Sequence, residues 1–351
     1  MWKLNPATDK LVKWYVDTMC KALMNRIKTK TYSYGNLIIN NIISKILIPL
    51  KPDGTDDDTI IKKLLIEKPK ALYTLNNDLM RLIINGYDDS EFEDYLKAKR
   101  KTHNRTITET ILYNKYNDIL GKLLDVFDYQ GQLANNKDRA YHLTIRQGHN
   151  TCTYCNRQYT ITIMKDDGNN HTSGIARPQL DHWFSKELYP LMSLSLYNLI
   201  PSCSICNSSV KGSDIYRLDT HVHPYLDTTP DEPSFRFSYK LNKNKQYVVT
   251  IEGLTDTKEK NMVKSLKLEE IYKYHGEIEV KDILLYNYQY SDAYLKTLLE
   301  GLLKHYKLSK ADVYRILFGT ELEISKNLNR PLSKLKRDIL TEIGILKDGK
   351  F

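Results

Sequence analysis

Cys152-Thr-Tyr-Cys155 and Cys203-Ser-Ile-Cys206 are the two stretches that decide the fold of this 351-residue chain. Each is a Cys-x2-Cys pair, and together they offer four thiolates, the ligand set of a closed tetrahedral zinc site. Metal binding can supply the folding free energy of the segment between them. Two disulfides, or four unrelated buried thiols, are the alternatives. Because four cysteines leave no open position on the metal, we expect the zinc to be structural.

The N-terminal sequence Met1-Trp-Lys-Leu-Asn-Pro does not resemble a secretory signal. It lacks a basic segment followed by an unbroken apolar core, so we expect a cytoplasmic, reducing environment in which thiolates bind metal rather than pair. No apolar run approaches the ~20 residues of a membrane-spanning helix. A soluble protein without a membrane partner is therefore expected. The fifth cysteine, Cys20, lies on a helical pattern and is predicted to be a small buried apolar side chain.

Between the cysteine pairs lie side chains suited to chemistry. Asp181 and His182 are adjacent and follow the alternating segment of residues 159–164, which predicts a strand pair and then a loop. Neighbours on a regular strand face opposite sides, so a bend at the strand end is needed for both to reach one site. Asn198 suits a loop because its amide can donate to and accept from the backbone. Asn207 follows the last cysteine, so the zinc would fix the helical turn that carries it.

The order Cys-x2-Cys, Asp-His, Asn, Cys-x2-Cys-Asn resembles the zinc-clamped HNH endonucleases of the ββα-metal superfamily, in a His-Asn-Asn variant. In that family the Asp-His lies on the first strand of a hairpin, the middle Asn in the connecting loop and the last Asn on the following helix. The resemblance implies that His182 is the general base and that Asn198 pins the loop. It implies that Asp181 and Asn207 bind a catalytic cation, and that Lys211, in the pattern Cys-Asn-x3-Lys-Gly, contacts a phosphate.

Phosphodiester hydrolysis fits these residue types. A neutral imidazole can take a proton from water near pH 7, a contribution on the order of 10²–10⁴-fold. Mg²⁺ or Mn²⁺ held by few protein oxygens can neutralise charge on the phosphate. Asn207 stands where many family members carry His, which favours these hard ions. His221 and His223 follow soon after, and His223 is a candidate phosphate contact, although a polar loop explains the two histidines equally well.

The formal charge of +9, from 52 basic and 43 acidic residues, fits a polyanionic partner. Residues 97–105 hold the densest basic run, which would bind phosphates or simply form a solvated helix face. The site carries no base information, and DNA is the expected substrate ahead of RNA. The motif also resembles HNH effectors of bacterial anti-phage systems, of the Septu and retron-associated kinds, in which a separate ATPase partner controls the nuclease. A zinc-stabilised nucleic-acid-binding or scaffolding module without catalysis, or an RNase, is the alternative.

The expected fold class is α+β. We expect a helical N-terminal region (residues 1–135), a zinc-clamped HNH nuclease core (136–228), and a β-hairpin with a helical C-terminal region (229–351). Lys334-Leu-Lys336-Arg337 is predicted to be the exposed face of an amphipathic helix. Apolar residues at helical spacing predict helices at residues 11–23, 60–66, 72–84, 108–129, 294–303 and 313–318. Apolar alternation predicts a hairpin around residues 242–246.

Overall fold

Helices precede and follow a series of short antiparallel strand pairs, which confirms the α+β class. The computed structural model describes residues 1–29, 33–34, 37–101, 103–166, 172–212, 214–289, 297 and 309–346. The helix expected over residues 294–303 lies outside this part, apart from Thr297.

The N-terminal region is helical, as the apolar spacing predicts. The Thr8 hydroxyl accepts a hydrogen bond from the Leu11 amide (3.3 Å) and so caps the first helix. Thr106 and Glu109 form a capping box at the start of the longest later helix. Cys20 is buried, as predicted. The helices are α1 (Asp9–Thr29), α2 (Ile39–Leu47), α3 (Thr59–Ile66), α4 (Pro69–Ile83), α5 (Asp89–Arg100), α6 (Ile107–Phe127) and α7 (Lys137–Gln147), with a small pair β1 (Ser33–Tyr34) and β2 (Leu37–Ile38) before α2.

The central region contains a strand pair that leads directly into a helix. Strand β5 (Gln179–His182) pairs antiparallel with β6 (Leu199–Ser202), and a seven-residue π-helix (Ile205–Lys211) follows. An earlier pair, β3 (Ile163–Asp166) with β4 (Thr172–Ala176), comes before it. The alternating segment of residues 159–164 therefore forms strand only at its end. The order strand, strand, helix places the second cysteine pair at the junction between β6 and the helix.

The C-terminal region begins with the predicted hairpin, in which β7 (Arg236–Leu241) pairs with β8 (Tyr247–Glu252). Short π- and 3₁₀-helices connect several of the elements. The helices that follow the hairpin are α8 (Thr257–Ser265), α9 (Leu268–Lys273), α10 (Lys281–Gln289), α11 (Lys310–Phe318) and α12 (Ser333–Glu342).

The basic cluster on α12 is not an exposed face, so that prediction was wrong. Lys334 and Arg337 are 2% and 5% exposed. Lys334 pairs with Asp338 at 3.1 Å, and Arg337 pairs with Glu232. Because each buried cation meets a carboxylate, the two can lie inside the molecule. Lys336 pairs with Glu279 at 2.8 Å.

The three expected regions contribute to one continuous buried cluster. It includes Tyr15 of α1, Trp183 after β5 and Leu335 of α12. Among the described residues, no helix is both long enough and apolar enough to cross a membrane.

Candidate metal centre and cleft

The four cysteines of the two pairs meet at one buried point. Their sulfur atoms all lie within 4.8 Å of one another, and the Sγ atoms of Cys155 and Cys203 are 4.0 Å apart. A tetrahedral ion with zinc–sulfur bonds of about 2.3 Å separates its sulfurs by about 3.8 Å. None of the cysteines is in a disulfide. The donor set and spacing therefore fit a structural zinc ion, and the disulfide alternative is excluded.

Backbone hydrogen bonds prepare two of the sulfurs to act as thiolates. The Arg157 amide donates to Cys155 Sγ and the Cys206 amide to Cys203 Sγ, both at 3.4 Å. The neighbouring Cys152 thiol lowers the pKa of Cys155 and of Cys203, whereas burial raises the pKa of Cys152 and the neighbouring thiols raise that of Cys206. Since metals bind the deprotonated sulfur, the two amide contacts favour the ligand form of Cys155 and Cys203.

The first cysteine pair is also held by both ends of the chain. Trp2 Nε1 donates to the Tyr154 carbonyl at 3.0 Å. The Asn156 amide group donates to the Asn327 carbonyl at 2.8 Å, and the Leu332 amide donates to the Asn156 carbonyl at 2.6 Å. The metal centre is thus connected to segments far away in sequence, which the spacing of the cysteines does not predict.

A cleft of about 420 Å³ opens beside the metal centre. His182 is the last residue of β5, opposite Leu199 of β6, and the chain bends directly after it. The bend at the strand end lets adjacent side chains reach the same cleft. Its lining includes four residues expected in the site, Asp181, His182, Asn207 and Lys211, together with Gln179 and Tyr129.

Asp181 is 5% exposed and makes two short hydrogen bonds through one carboxylate oxygen. Its Oδ2 accepts from the Tyr154 hydroxyl at 2.5 Å and from Lys211 Nζ at 2.6 Å. Lys211 also donates to the His182 carbonyl at 2.6 Å. The Lys211 ammonium thus forms a buried ion pair with Asp181, whereas the resemblance implies that it contacts a phosphate. Within the described residues, the other oxygen of Asp181 accepts no hydrogen bond.

His182 is held in one orientation by the loop between the strands. Its Nε2 lies 2.8 Å from the Ser193 carbonyl oxygen. A carbonyl can only accept, so Nε2 carries the hydrogen and Nδ1 is left as the basic nitrogen. The Tyr129 ring packs edge-on against the imidazole, with 4.3 Å between ring centres. Burial lowers the pKa of His182 to about 4, so the ring is neutral at pH 7 and able to accept a proton.

Asn207 is oriented by Gln179, two residues before Asp181 on β5. Gln179 Oε1 accepts from Asn207 Nδ2 at 2.8 Å and from the Ser208 hydroxyl at 3.0 Å. With its nitrogen engaged, Asn207 keeps its amide oxygen as a donor for a cation. No described group hydrogen-bonds to that oxygen. Asn207 and Asp181 line the same cleft, and amide and carboxylate oxygens are ligand types that suit Mg²⁺ or Mn²⁺.

Asn198 lies outside the cleft, fully buried behind the loop that contacts His182. Its Oδ1 accepts from the Phe184 amide at 2.7 Å, and its Nδ2 donates to the Phe184 and Met192 carbonyls, both at 3.0 Å. Met192 precedes Ser193, so Asn198 fixes the carbonyl that orients the His182 ring. It is a positioning residue.

The two later histidines occupy different environments. His223 is fully buried, with its ring centre 4.4 Å from that of Trp183, and does not line the cleft. The structure therefore does not place it where a substrate phosphate would bind. His221 stacks on Tyr216 at 4.4 Å and lines a neighbouring groove.

Three groups at the site were not found from the sequence. Gln179 shares a strand face with Asp181 because the strand period is two, so its position was available as a signal. Tyr154 lies between the cysteines of the first pair, and its fully buried ring places its hydroxyl so that it donates to Asp181. The contact of Ser193 with His182 is made by the backbone carbonyl, so the residue type at position 193 does not predict it.

A functional interpretation of this chain rests on the donor atoms of the cysteine cluster and of the cleft. No protein-family model, curated protein or solved structure matches it.

Proposed function

We propose that this protein is a metal-dependent HNH-type endonuclease that hydrolyses phosphodiester bonds, with DNA as the favoured substrate. One observation carries the proposal: a neutral, oriented imidazole and two oxygens that accept no hydrogen bond from described groups line the same cleft, beside a buried four-cysteine cluster. The groups involved are His182, Asp181 and Asn207. Control by a separate protein, such as an ATPase, follows only from the resemblance to anti-phage effectors.

Each residue of the cleft has a separate role in hydrolysis. Nδ1 of His182 takes a proton from the attacking water, and the Ser193 carbonyl stabilises the imidazolium through Nε2. Asp181 and Asn207 would hold Mg²⁺ or Mn²⁺, which when bound polarises the phosphate and stabilises the leaving oxygen. Lys211 and Tyr154 both donate to Oδ2 of Asp181, which leaves its other oxygen for the cation.

The buried Lys211–Asp181 pair favours a second candidate, a zinc-stabilised nucleic-acid-binding module. In that case Asp181 already has its cation, because the ammonium lies 2.6 Å from its Oδ2, and the pair holds β5 against the following helix. The two candidates differ in one property, which is whether the cleft performs hydrolysis when Mg²⁺ or Mn²⁺ is supplied.

Plasmid nicking at low salt tests the proposal. Zinc-loaded wild type, His182→Ala and the control His142→Ala are compared without added divalent ion, with Mg²⁺ and with Mn²⁺; His142 is a half-buried residue of α7 that does not line the cleft. We expect metal-dependent nicking by wild type and His142→Ala, and loss of at least about 10²-fold in His182→Ala, with equal zinc content in all three.

Cleavage that persists in His182→Ala would contradict the assigned base. If zinc-loaded wild type cleaves neither duplex DNA, single-stranded DNA nor RNA with any of the ions, the binding module is the better interpretation. Cleavage of RNA alone would retain the chemistry and change the substrate.

A further inference from the structure

A second and larger groove, of about 640 Å³, adjoins the cleft. The two share Asp214, and Val210 of the groove directly precedes Lys211 of the cleft. Helix α5 forms one wall and the end of α8 forms the other. A chain molecule bound across the cleft would therefore continue into this groove.

The groove presents three cations that have no partner within the described part of the chain. Arg100 of α5, Lys264 of α8 and Lys267 are all exposed and form no ion pair there. Two further cations are neutralised: Lys97 pairs with Asp94 at 2.7 Å, and Arg217 pairs with Glu93.

Asp214, at the junction with the cleft, is the acidic group of the lining that has no cationic partner among the described residues. It accepts a hydrogen bond from the Ser265 hydroxyl at 2.9 Å. Among the described residues, the lining therefore holds three cations and one carboxylate that have no ion-pair partner. Side chains that need a counter-charge come from two separate segments that line one groove, an arrangement that suits a polyanion bound there.

The floor of the groove carries neutral polar groups. The His221 ring stacks on Tyr216 with an angle of 18° between the planes, and its Nδ1 is 2.8 Å from the Thr220 hydroxyl. The Asn261 amide group donates to the Thr220 carbonyl at 2.8 Å. This floor is uncharged and rigid, so it would not repel a phosphate or a base.

We propose that this groove binds the sugar–phosphate backbone of the nucleic acid on one side of the bond presented to the cleft, with Arg100, Lys264 and Lys267 each contacting a phosphate. The proposal rests on the proposed function for its substrate class. Binding in the groove does not depend on hydrolysis, so the two can be tested separately.

The test measures binding in a form that cannot cleave. Zinc-loaded protein carrying His182→Ala is titrated, without added Mg²⁺ or Mn²⁺, with fluorescein-labelled single-stranded DNA, the matching duplex and the matching RNA, at several salt concentrations. Arg100→Gln, Lys264→Gln and Lys267→Gln are introduced together. The matched control removes the same charge from exposed lysines of α1, through Lys10→Gln, Lys13→Gln and Lys21→Gln.

Each lost phosphate contact lowers the slope of log K against log salt by about 0.7 for a single strand and about 0.9 for a duplex. Three contacts at 0.1 M salt then correspond to a loss of affinity on the order of 10²-fold. We expect this loss and a slope smaller by about 2 to 3 in the groove variant, with a much smaller change in the control variant.

Equal losses in the two triple variants would overturn the proposal, because only net charge would then matter. So would unchanged KM and unchanged salt dependence of plasmid cleavage when the three groove substitutions are made in protein that keeps His182, and that result would leave the nuclease proposal standing. Groove-dependent binding by a wild type that cleaves nothing would support the groove and contradict the nuclease. Single Gln variants, each checked by circular dichroism, cover the case in which the triple variant does not fold.

Discussion

At the scale of single residues, the Lys211–Asp181 pair decides how the cleft is charged. The side chains of Lys211 and Asp181 are 5% and 6% exposed, so both are about as buried as core residues. Removing one member of a buried pair leaves an uncompensated charge, whereas removing both does not. The ammonium and a divalent cation would also share one carboxylate, so the pair links the stability of the fold to metal binding.

In zinc-loaded protein without added Mg²⁺ or Mn²⁺, Lys211→Met should lower the free energy of unfolding by about 3–5 kcal/mol, since Asp181 is left without its buried counter-charge. Adding Mn²⁺ should return part of this stability by placing a cation on the same carboxylate. Urea unfolding with and without Mn²⁺ measures both effects. In Lys211→Met/Asp181→Asn the loss should be smaller than the sum of the single losses. A Lys211→Met protein as stable as wild type would show that the pair is not formed.

Residue identities at the site were largely available in the sequence, and their interactions were not. The spacing of the two Cys-x2-Cys pairs predicts a metal cluster, and the four sulfurs do converge. The Asp181, His182 and Asn207 side chains line one cleft. In contrast, the placement of Lys211 on Asp181 depends on how β5 meets the following helix. Such a contact is set by tertiary packing, which motif spacing does not encode.

At the scale of elements, the loop between β5 and β6 is the support of the candidate base. Asn198→Ala removes three hydrogen bonds from this loop and leaves buried backbone groups unpaired. We expect destabilisation of about 3 kcal/mol, at roughly 1 kcal/mol for each bond. Because the loop carries the Ser193 carbonyl that orients His182, kcat should fall more than KM changes.

Asn198→Asp provides the matched comparison, because it keeps the acceptor for the Phe184 amide but places a buried carboxylate oxygen against the Phe184 and Met192 carbonyl oxygens. It should lose at least as much stability as the Ala variant, and it should also lose kcat. Chemical denaturation and steady-state cleavage kinetics measure the two properties. If kcat is unchanged in both variants once they are folded, Asn198 does not position the base.

Sequence periodicity found the elements whose apolar residues recur regularly. Helices α1, α3, α4 and α6 and the β7–β8 hairpin appear where predicted. Of helix α5, the sequence predicted only a helix face, as one interpretation of the basic run at residues 97–105; Phe92, Tyr95 and Leu96 have helical spacing but span little more than one turn. Helix α7 buries only Ala140, Leu143 and Thr144, which is too weak an apolar pattern to identify. The wrong face of α12 was predicted to be exposed, since Arg337 is neutralised by Glu232, which is distant in sequence, and Lys334 by Asp338, one turn along the same helix.

At the scale of the whole molecule, the metal centre joins segments from both ends of the chain. Cys203→Ser should therefore destabilise more than the central region, because the first cysteine pair contacts Trp2 and Leu332. Structural zinc is worth on the order of 10 kcal/mol in small modules. We expect loss of zinc and a rise in hydrogen exchange in both terminal regions. Cys20→Ser, a cysteine outside the cluster, should keep its zinc; exchange that rises only near the cluster would contradict the coupling.

Buried neutral histidines make the whole fold sensitive to acid. Burial lowers the pKa of His149 and of His221 to about 4, and that of His223 well below its usual 6.5. The unfolded chain binds protons on these rings below pH 6.5 while the folded chain does not. The stability that they contribute is thus fully present above that pH and is lost as the pH falls from 6.5 towards the folded pKa values.

For the fully buried His223 the expected slope is about 1.4 kcal/mol per pH unit below pH 6.5. His223→Gln should therefore lose about 2 kcal/mol less stability than wild type between pH 7 and pH 5. Urea unfolding of both proteins at each pH, with excess zinc, measures this difference. Protonation of the cysteine ligands affects both proteins alike and cancels in the comparison. Parallel loss of stability in wild type and His223→Gln would mean that the His223 ring can take up a proton within the folded core.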